Sequence, residues 1–439
     1  MAQTENAPAS IFRDKVGMGV WEHRGKVAAV GIGHSPTTRR WDEKAETSVG
    51  AWQILAAQRA LDDAGVSLDK VDGVVSTPDG LGDPWGPREI PEDFAKMYQP
   101  TPGKPEDGLS GVSADWLVTN MGLKNAKFTM HAPGCMSKAL CVATQAVGDG
   151  QANTVLVTRV LNNMPGRYHH VGATAVDTAS GPAQWNNPWG LQGEMTTCAM
   201  NFVEYCRKYG SNHDRMAPFI VNERRNGLMF PEGYYYQHRP EPLTVEDYLS
   251  ARWVSKPLNL LDADMPIQTA VAYLLTTAER AKDMKQKPVY ILNHCQSNLK
   301  FRSSLQTLDE AEAVTDILAR KLLEGAGITS KDVDVFNAYE GYTLFFQYYL
   351  EGFQWHGVKR GEAHDFYAGD ISVKGPHPLS SSGGNNGNGR TRWWGQMDTI
   401  QQLRGQAGQR QVNIRAETGV AGAFTPGTSW WMVYGTSPD

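Results

Sequence analysis

The chain has 439 residues, longer than one simple core allows, and its 42 basic and 47 acidic side chains give a formal net charge of −5. Without a basic block it lacks the footprint of a nucleic-acid binder, and no run approaches the ~18 apolar residues of a membrane span. Five cysteines with no CxxC pair argue for reduced thiols in a cytoplasmic setting and against a structural zinc site.

Residues 1–25 read as an extension, with no charged segment leading into an apolar core and hence no secretory signal expected. From Lys26 the run VAAVGIGHSP predicts a buried strand closed by a turn. Residues 49–65 predict an amphipathic helix, with Gly65 where a helix-ending glycine belongs. A strand follows at 71–75, then a long loop at 80–110 rich in Pro, Gly and Asp. The next unit is strand 126–130, turn His131-Ala132-Pro133-Gly134-Cys135, helix 137–147 and strand 154–159. This arrangement sets the turn's backbone N–H groups at a helix start, where negative charge is stabilised.

Residues 162–260 mix loops with helical pieces at 195–209, 215–229 and 245–253, and read as an inserted lid. In it, His169, His170 and the tyrosines Tyr234, Tyr235 and Tyr236 are candidates to line an apolar channel. Strand pattern resumes at 270–277 and 289–293, and 296–308 is a polar link. The second half starts with a helix at 310–325 and a strand at 333–336. It continues through a Gly-rich run at 379–390, a helix at 394–403, and strands at 412–417 and 429–434 around a glycine turn at 419–427. Helix, Ala-Gly turn and strand recur: Leu61-Asp62-Asp63-Ala64-Gly65 precedes Val71-Asp72-Gly73-Val74, and Leu323-Glu324-Gly325-Ala326-Gly327 precedes Val333-Asp334-Val335. The echo points to a duplicated α/β fold.

The second-half strand gives way to Asn337-Ala338-Tyr339-Glu340-Gly341-Tyr342-Thr343 and then to bulky residues at helical spacing. In open α/β sheets ligands bind at the carboxyl ends of strands. Two phenols and a carboxylate placed there are candidate acid/base groups.

Thr244 to Pro266 (TVEDYLSARWVSKPLNLLDADMP), Thr276 to Asp283 (TTAERAKD), and Ser382-Gly383-Gly384 followed by QLRGQAG at 402–408 occur in that order with the paired turns. Together they resemble the thiolase superfamily, specifically the sterol carrier protein-type or lipid-transfer thiolases, over nearly the whole chain after Lys26. The resemblance implies a duplicated, five-layered αβαβα thiolase fold. Its halves would be 26–298, with the lid at about 162–260, and 308–439.

The same comparison implies a change of chemistry. Thiolases carry a nucleophilic Cys at the turn before the third helix, and counting back from Ser137 puts Pro133 there, two residues before Cys135. Their Asn-Glu-Ala-Phe corresponds to Tyr339-Glu340-Gly341-Tyr342, their Gly-His-Pro to Gly389-Arg390-Thr391, and their second Cys has no counterpart between Ala416 and Gly427. Tyr followed by an acid looks like the steroid side-chain aldolases of this superfamily. The expected activity is therefore retro-aldol cleavage of a β-hydroxyacyl-CoA bearing a bulky steroid-like group, with release of a short acyl-CoA.

Tyr339, Glu340, Tyr342, Arg390 and His294 are the candidate catalytic residues, since the aldolases' second Tyr stands at Arg390 and Tyr342, His377 or His294 could donate in its place. Gly383, Gly384, Asn385, His377 and Cys135 are the candidates for substrate binding. No metal or cofactor is expected in this chain. The resemblance implies a homodimer and a separate small OB-fold partner with a zinc ribbon. The alternatives are an acyltransferase that uses Cys135 and a non-catalytic lipid- or CoA-binding subunit.

Overall fold

Nine strands pair into one mixed sheet in the computed structural model, which describes residues 15–42, 44–78, 108, 112–161, 184–185, 187–189, 191, 193–297 and 307–439. The strands are β1 (Val27–His34), β2 (Gly73–Pro78), β3 (Phe128–His131), β4 (Thr154–Leu161), β5 (Thr269–Thr277), β6 (Val289–Gln296), β7 (Val335–Asn337), β8 (Thr418–Ala423) and β9 (Trp430–Gly435). Their spatial order is β3-β2-β4-β5-β1-β6-β9-β8-β7. β2 runs parallel to β3 and β4, β5 is antiparallel to β4 and β1, and β6 is antiparallel to β1 and β9. β9 is antiparallel to β8, which runs parallel to β7.

Read outward from the central β1–β6 pair, the order repeats: an opening strand, an antiparallel closing strand, then parallel strands. β6 therefore stands to the second half-sheet as β1 stands to the first. The two half-sheets meet edge to edge from Val27↔Ile291 to Ala29↔Val289.

The helices complete the layers. α1 (Val49–Ala64) begins at Ser48, whose side chain accepts the Ala51 N–H, and ends at Gly65 in the left-handed conformation (φ 68°). α5 (Leu308–Ala326) repeats the plan with a Thr307–Glu310 capping box and Gly327 (φ 67°), so the Ala-Gly echo is a pair of equivalent helix ends. Between the half-sheets lie α2 (Met136–Gly148) and α8 (Trp394–Arg404), tied at their starts by Gln396 Nε2 donating to Ser137 Oγ at 2.8 Å. α2 packs on β2 and β4 and also on β8 and β9, which requires an apolar surface nearly all round. Outside the second half-sheet, α5 packs beside α6 (Leu344–Phe353). This is the expected thiolase fold.

Two boundaries differ from the sequence expectation. The closing strand predicted at 412–417 lies at β8, inside the predicted glycine turn. Its glycines permit close packing: a Cβ on Gly419 would sit 2.4 Å from Thr399 Cγ2, and one on Gly422 would sit 2.0 Å from the Trp431 ring. The helix expected over 245–253 stops at Leu249, and Trp253–Ser255 pairs with Leu258–Asn259 in a small hairpin. In the lid, α3 (Glu194–Tyr209) and α4 (Ala217–Gly227) carry the described residues toward the second half. Most of the loop at 80–110, with His169 and His170, lies outside the described residues.

Among the described residues no helix is long and apolar enough to cross a membrane. All five cysteines are free thiols.

Candidate active site

Asn337 ends β7 and anchors the loop that follows. Its amide donates to Asp398 Oδ2 (3.1 Å) and Thr399 Oγ1 (3.0 Å), and its Oδ1 accepts the Ser382 N–H (3.3 Å), so one side chain joins the loop to α8 and to the Gly-rich turn. On the other side the segment leading into β5 pairs with the loop. Ala263 bridges Tyr342, and the Asp264 N–H donates to the Gly341 carbonyl at 3.1 Å.

Between these anchors the Tyr339 ring folds back over Gly341. A Cβ on Gly341 would lie 2.0 Å from the Tyr339 hydroxyl and 2.8 Å from Asp264 Oδ2, so the glycine leaves the space in which phenol and carboxylate converge. Burial pushes the phenol above its ordinary range. Arg392 and Arg390 draw it back down, whereas Asp264 raises it further. The phenol is accordingly a proton-bearing donor near neutral pH. Tyr342 is also held protonated, by burial and then by Glu194, Cys198 and Asp264.

Glu340 turns toward the Gly-rich turn, where the Asn385 N–H donates to Oε1. Gly383 and Gly384 have positive φ (69° and 50°) and let the turn fold onto it. Burial lifts the Glu340 carboxyl to about 8. The Asn385 N–H opposes the rise and Asp264 adds to it.

Asn385 also organises the cations. Its Oδ1 accepts the N–H groups of Thr391 (3.1 Å) and Arg392 (3.0 Å), holding Arg392 at φ 67°. The Arg392 guanidinium then donates to the Gly134 carbonyl (3.2 Å) and stands 4.3 Å from the Phe424 ring centroid. Arg390 is held through its backbone, donating to Met265 O at 2.7 Å. Buried Arg159, from β4, donates to Thr391 O (2.9 Å).

Cys135 is the N-cap residue of α2, fully buried, and Arg159, Arg392 and Lys138 surround it. Sequence alone placed no cation there. Even so, burial raises the thiol above its ordinary value against those charges, so it is not a ready thiolate.

Tyr339, Glu340, Asn385 and Arg392 line one cavity of about 10 Å³, room for a single water, closed by Trp393 and Trp394. The structure thus gathers Tyr339, Glu340, Tyr342, Arg390, Gly383, Gly384, Asn385 and Cys135 around this end of the sheet. It does not bring in the two histidines. His294 is buried on β6, its Nε2 3.0 Å from Gln145 Oε1 and its ring on Trp21, and exposed His377 packs against His356 and Phe366. Three residues escaped the sequence reading: Asp264, Arg392, and Glu223 on α4. Asp264 lies inside the family-like segment 244–266 and Arg392 immediately follows the Gly-His-Pro equivalent, so both positions carried a signal.

Comparison with known proteins bears on the family and the fold. The family model "Thiolase C-terminal domain-like" matches residues 302–429. The chain is 31% identical over 297 residues to a 17-hydroxy-3-oxo-4-pregnene-20-carboxyl-CoA lyase of Mycobacterium tuberculosis, covering 63% of this chain and 75% of that protein. It is 27% identical over 301 residues to a steroid side-chain-cleaving aldolase of Thermomonospora curvata, covering 64% and 75%. Among solved structures an Ltp2-ChsH2(DUF35) aldolase superposes with a TM-score of 0.74 at 22% identity, over 94% of this chain and 98% of that one.

Proposed function

This chain belongs to the thiolase superfamily, with the steroid side-chain-cleaving aldolases among its relatives, and from that premise we propose that it is an acyl-CoA aldolase, a carbon–carbon lyase acting on a β-hydroxyacyl-CoA with a bulky steroid-like group at the β carbon. In such a cleavage a base takes the β-hydroxyl proton and the Cα–Cβ bond breaks into a ketone and a thioester enolate. An acid then protonates the enolate carbon, giving the shortened acyl-CoA. The step is redox-neutral, and the proton removed from oxygen balances the one delivered to carbon.

The single observation that carries this reading is the convergence of the Tyr339 hydroxyl and Asp264 above Gly341, where a thiolase keeps an asparagine. We assign Tyr339 to the substrate hydroxyl, with Asp264 as the carboxylate toward which its proton passes. Arg392, and Arg390 beside it, supply positive charge for the enolate oxygen at the start of α2, where the helix dipole acts in the same sense. Glu340 protonates carbon. Cys135 is a packing residue of the substrate wall. Gly383, Gly384 and Asn385 shape that wall through backbone.

We also propose that the enzyme works as a homodimer with a separate OB-fold, zinc-ribbon protein, and that any zinc belongs to that partner. The name of the Ltp2-ChsH2(DUF35) aldolase, which joins two components, supports a partner.

The test is incubation of the chain and its partner with a β-hydroxyacyl-CoA carrying a polycyclic β substituent. Mass spectrometry should find a ketone and a shortened acyl-CoA in equal amounts. Failure to release either from an intact complex would refute the assignment.

A further inference from the structure

A second carboxylate stands behind Glu340, and the cleavage as described above makes no use of it. Glu223 projects from α4, a lid helix, and is completely buried. It reaches the site because α4 and the Gly-rich turn touch backbone to backbone. A Cβ on Gly227 would lie 2.0 Å from Gly387 O, one on Gly387 2.1 Å from Glu223 O, and one on Gly383 2.3 Å from Gly227 N. The same contact brings the acids together. A Cβ on Gly384 would sit 2.3 Å from Glu340 Oε1 and 2.4 Å from Glu223 Oε2.

The Ser380 hydroxyl is the polar neighbour that opposes the rise at Glu223, and among the described residues neither glutamate has a salt bridge. Two buried carboxyl groups crowded about one glycine do not both ionise readily, and the stable arrangement keeps one of them protonated. The other groups facing the pair are Ser380 and Tyr367 next to Glu223, and Asp264, Asn385 and Asn386 next to Glu340, with Tyr339 adjacent in sequence. Burial and then Glu340 push Glu223 well above the usual carboxyl range, and Glu340, on the cavity side and accepting the Asn385 N–H, is the member of the pair better placed to carry the charge.

We propose that Glu223 is a positioning residue of the lyase: its neutral carboxyl donates to the Glu340 carboxylate each time Glu340 has delivered its proton to the enolate carbon. Glu340 then recovers a proton from the one released by the β-hydroxyl, and Glu223 keeps its own throughout. The inference rests on the lyase reading and adds what that reading lacks, a way to tolerate a buried anion between proton transfers.

The experiment has two arms. In kinetics, kcat should fall as pH rises through the Glu340 titration near 8. Glu223→Leu, which has no donor, should lower kcat at least tenfold with little change in KM and move that limb upward by a unit or more. Glu223→Gln keeps shape and donor and should recover most of the lost kcat. In the second arm, infrared titration of the carboxyl stretch, without substrate, should show a buried acid losing its proton near pH 8. That step should vanish in Glu340→Gln and move up in Glu223→Leu. Wild-type kcat and limb in Glu223→Leu, equal losses in the Gln and Leu variants, or an unmoved infrared step would each overturn the proposal. The infrared arm needs no turnover, so an inactive wild-type complex with the titration intact would sink the lyase reading alone.

Discussion

Replacing Gly341 by alanine adds one methyl group and should disable the enzyme. The methyl carbon would occupy a point 2.0 Å from the Tyr339 hydroxyl, 2.4 Å from the ring carbon that bears it and 2.8 Å from Asp264 Oδ2, all well inside van der Waals contact. No accommodation keeps all three groups in place. The ring is buried and stacked on Phe345, while Asp264 is pinned by its N–H to Gly341 O. Overpacking of this kind costs about 1–3 kcal/mol of stability. A reacting group displaced by about 1 Å loses ~10²-fold in rate. Gly341→Ala should therefore remain folded, with a lowered melting temperature, and lose kcat far more than it raises KM. Steady-state kinetics of acyl-CoA release, beside thermal unfolding, measures both. The double change Tyr339→Asn with Gly341→Ala rebuilds the thiolase pair and should regain the stability without regaining activity. A Gly341→Ala enzyme with wild-type kcat would show that the Tyr339 hydroxyl is not held where catalysis needs it, and the mechanism would fail with it.

Tyr339→Phe should cost about 10²–10⁴ in kcat, the usual worth of a positioned acid/base group, and an unchanged rate would remove the phenol from the chemistry. Arg392→Gln, which removes the charge but keeps a donor, should lower kcat by a factor on the order of 10²; a loss confined to KM would assign it to ground-state binding. Cys135→Ala should turn over within a few-fold of wild type, with no acyl group trapped on the wild-type thiol. An acyl–Cys135 adduct would favour the acyltransferase reading. Stability should also report on Glu340, whose carboxyl titrates near 4.5 unfolded and about 8 folded. Between those values the native state binds more protons, so this group's contribution declines as pH rises. Glu340→Gln should hence gain stability relative to wild type between pH 5 and 8, by up to a few kcal/mol in denaturant titrations, and a constant difference would contradict the raised value.

The fold was legible wherever local chemistry and periodicity agree. Gly65 and Gly327 close equivalent helices, and the loop carrying the candidate acid/base residues follows β7 at a strand end. The β8 boundary was not, since TGVAGA has turn composition and becomes a strand only through the packing of Thr399 and Trp431 on its glycines. Within the site, Tyr339, Glu340, Arg390 and the Gly-rich turn were readable because they are near one another in sequence or at a family position. Asp264 and Arg392 arrive by pairing of distant segments. Glu223 gave a weaker sign: in α4 it falls on the stripe of Phe219, Ile220, Asn226 and Gly227, the buried face, where an acid has no place unless it is neutral or used.

On the proposed assignment, one scaffold exchanges nucleophilic for acid/base chemistry. The start of α2, near where the resemblance places a thiolase's nucleophile, is electropositive here, with Arg159, Arg392 and Lys138 about Cys135. What has changed is where negative charge forms. With the thiol held neutral by burial and Arg392 engaging the Gly134 carbonyl, no sulfur anion is prepared for attack. The same cations suit an enolate oxygen generated when a carbon–carbon bond breaks. Such an anion forms only if a proton first leaves the substrate hydroxyl and another later meets carbon. A nearby set of proton-bearing groups, Tyr339 with Asp264 and Glu340 with Glu223, is on the proposed assignment the complement that this electropositive pocket requires for lyase chemistry.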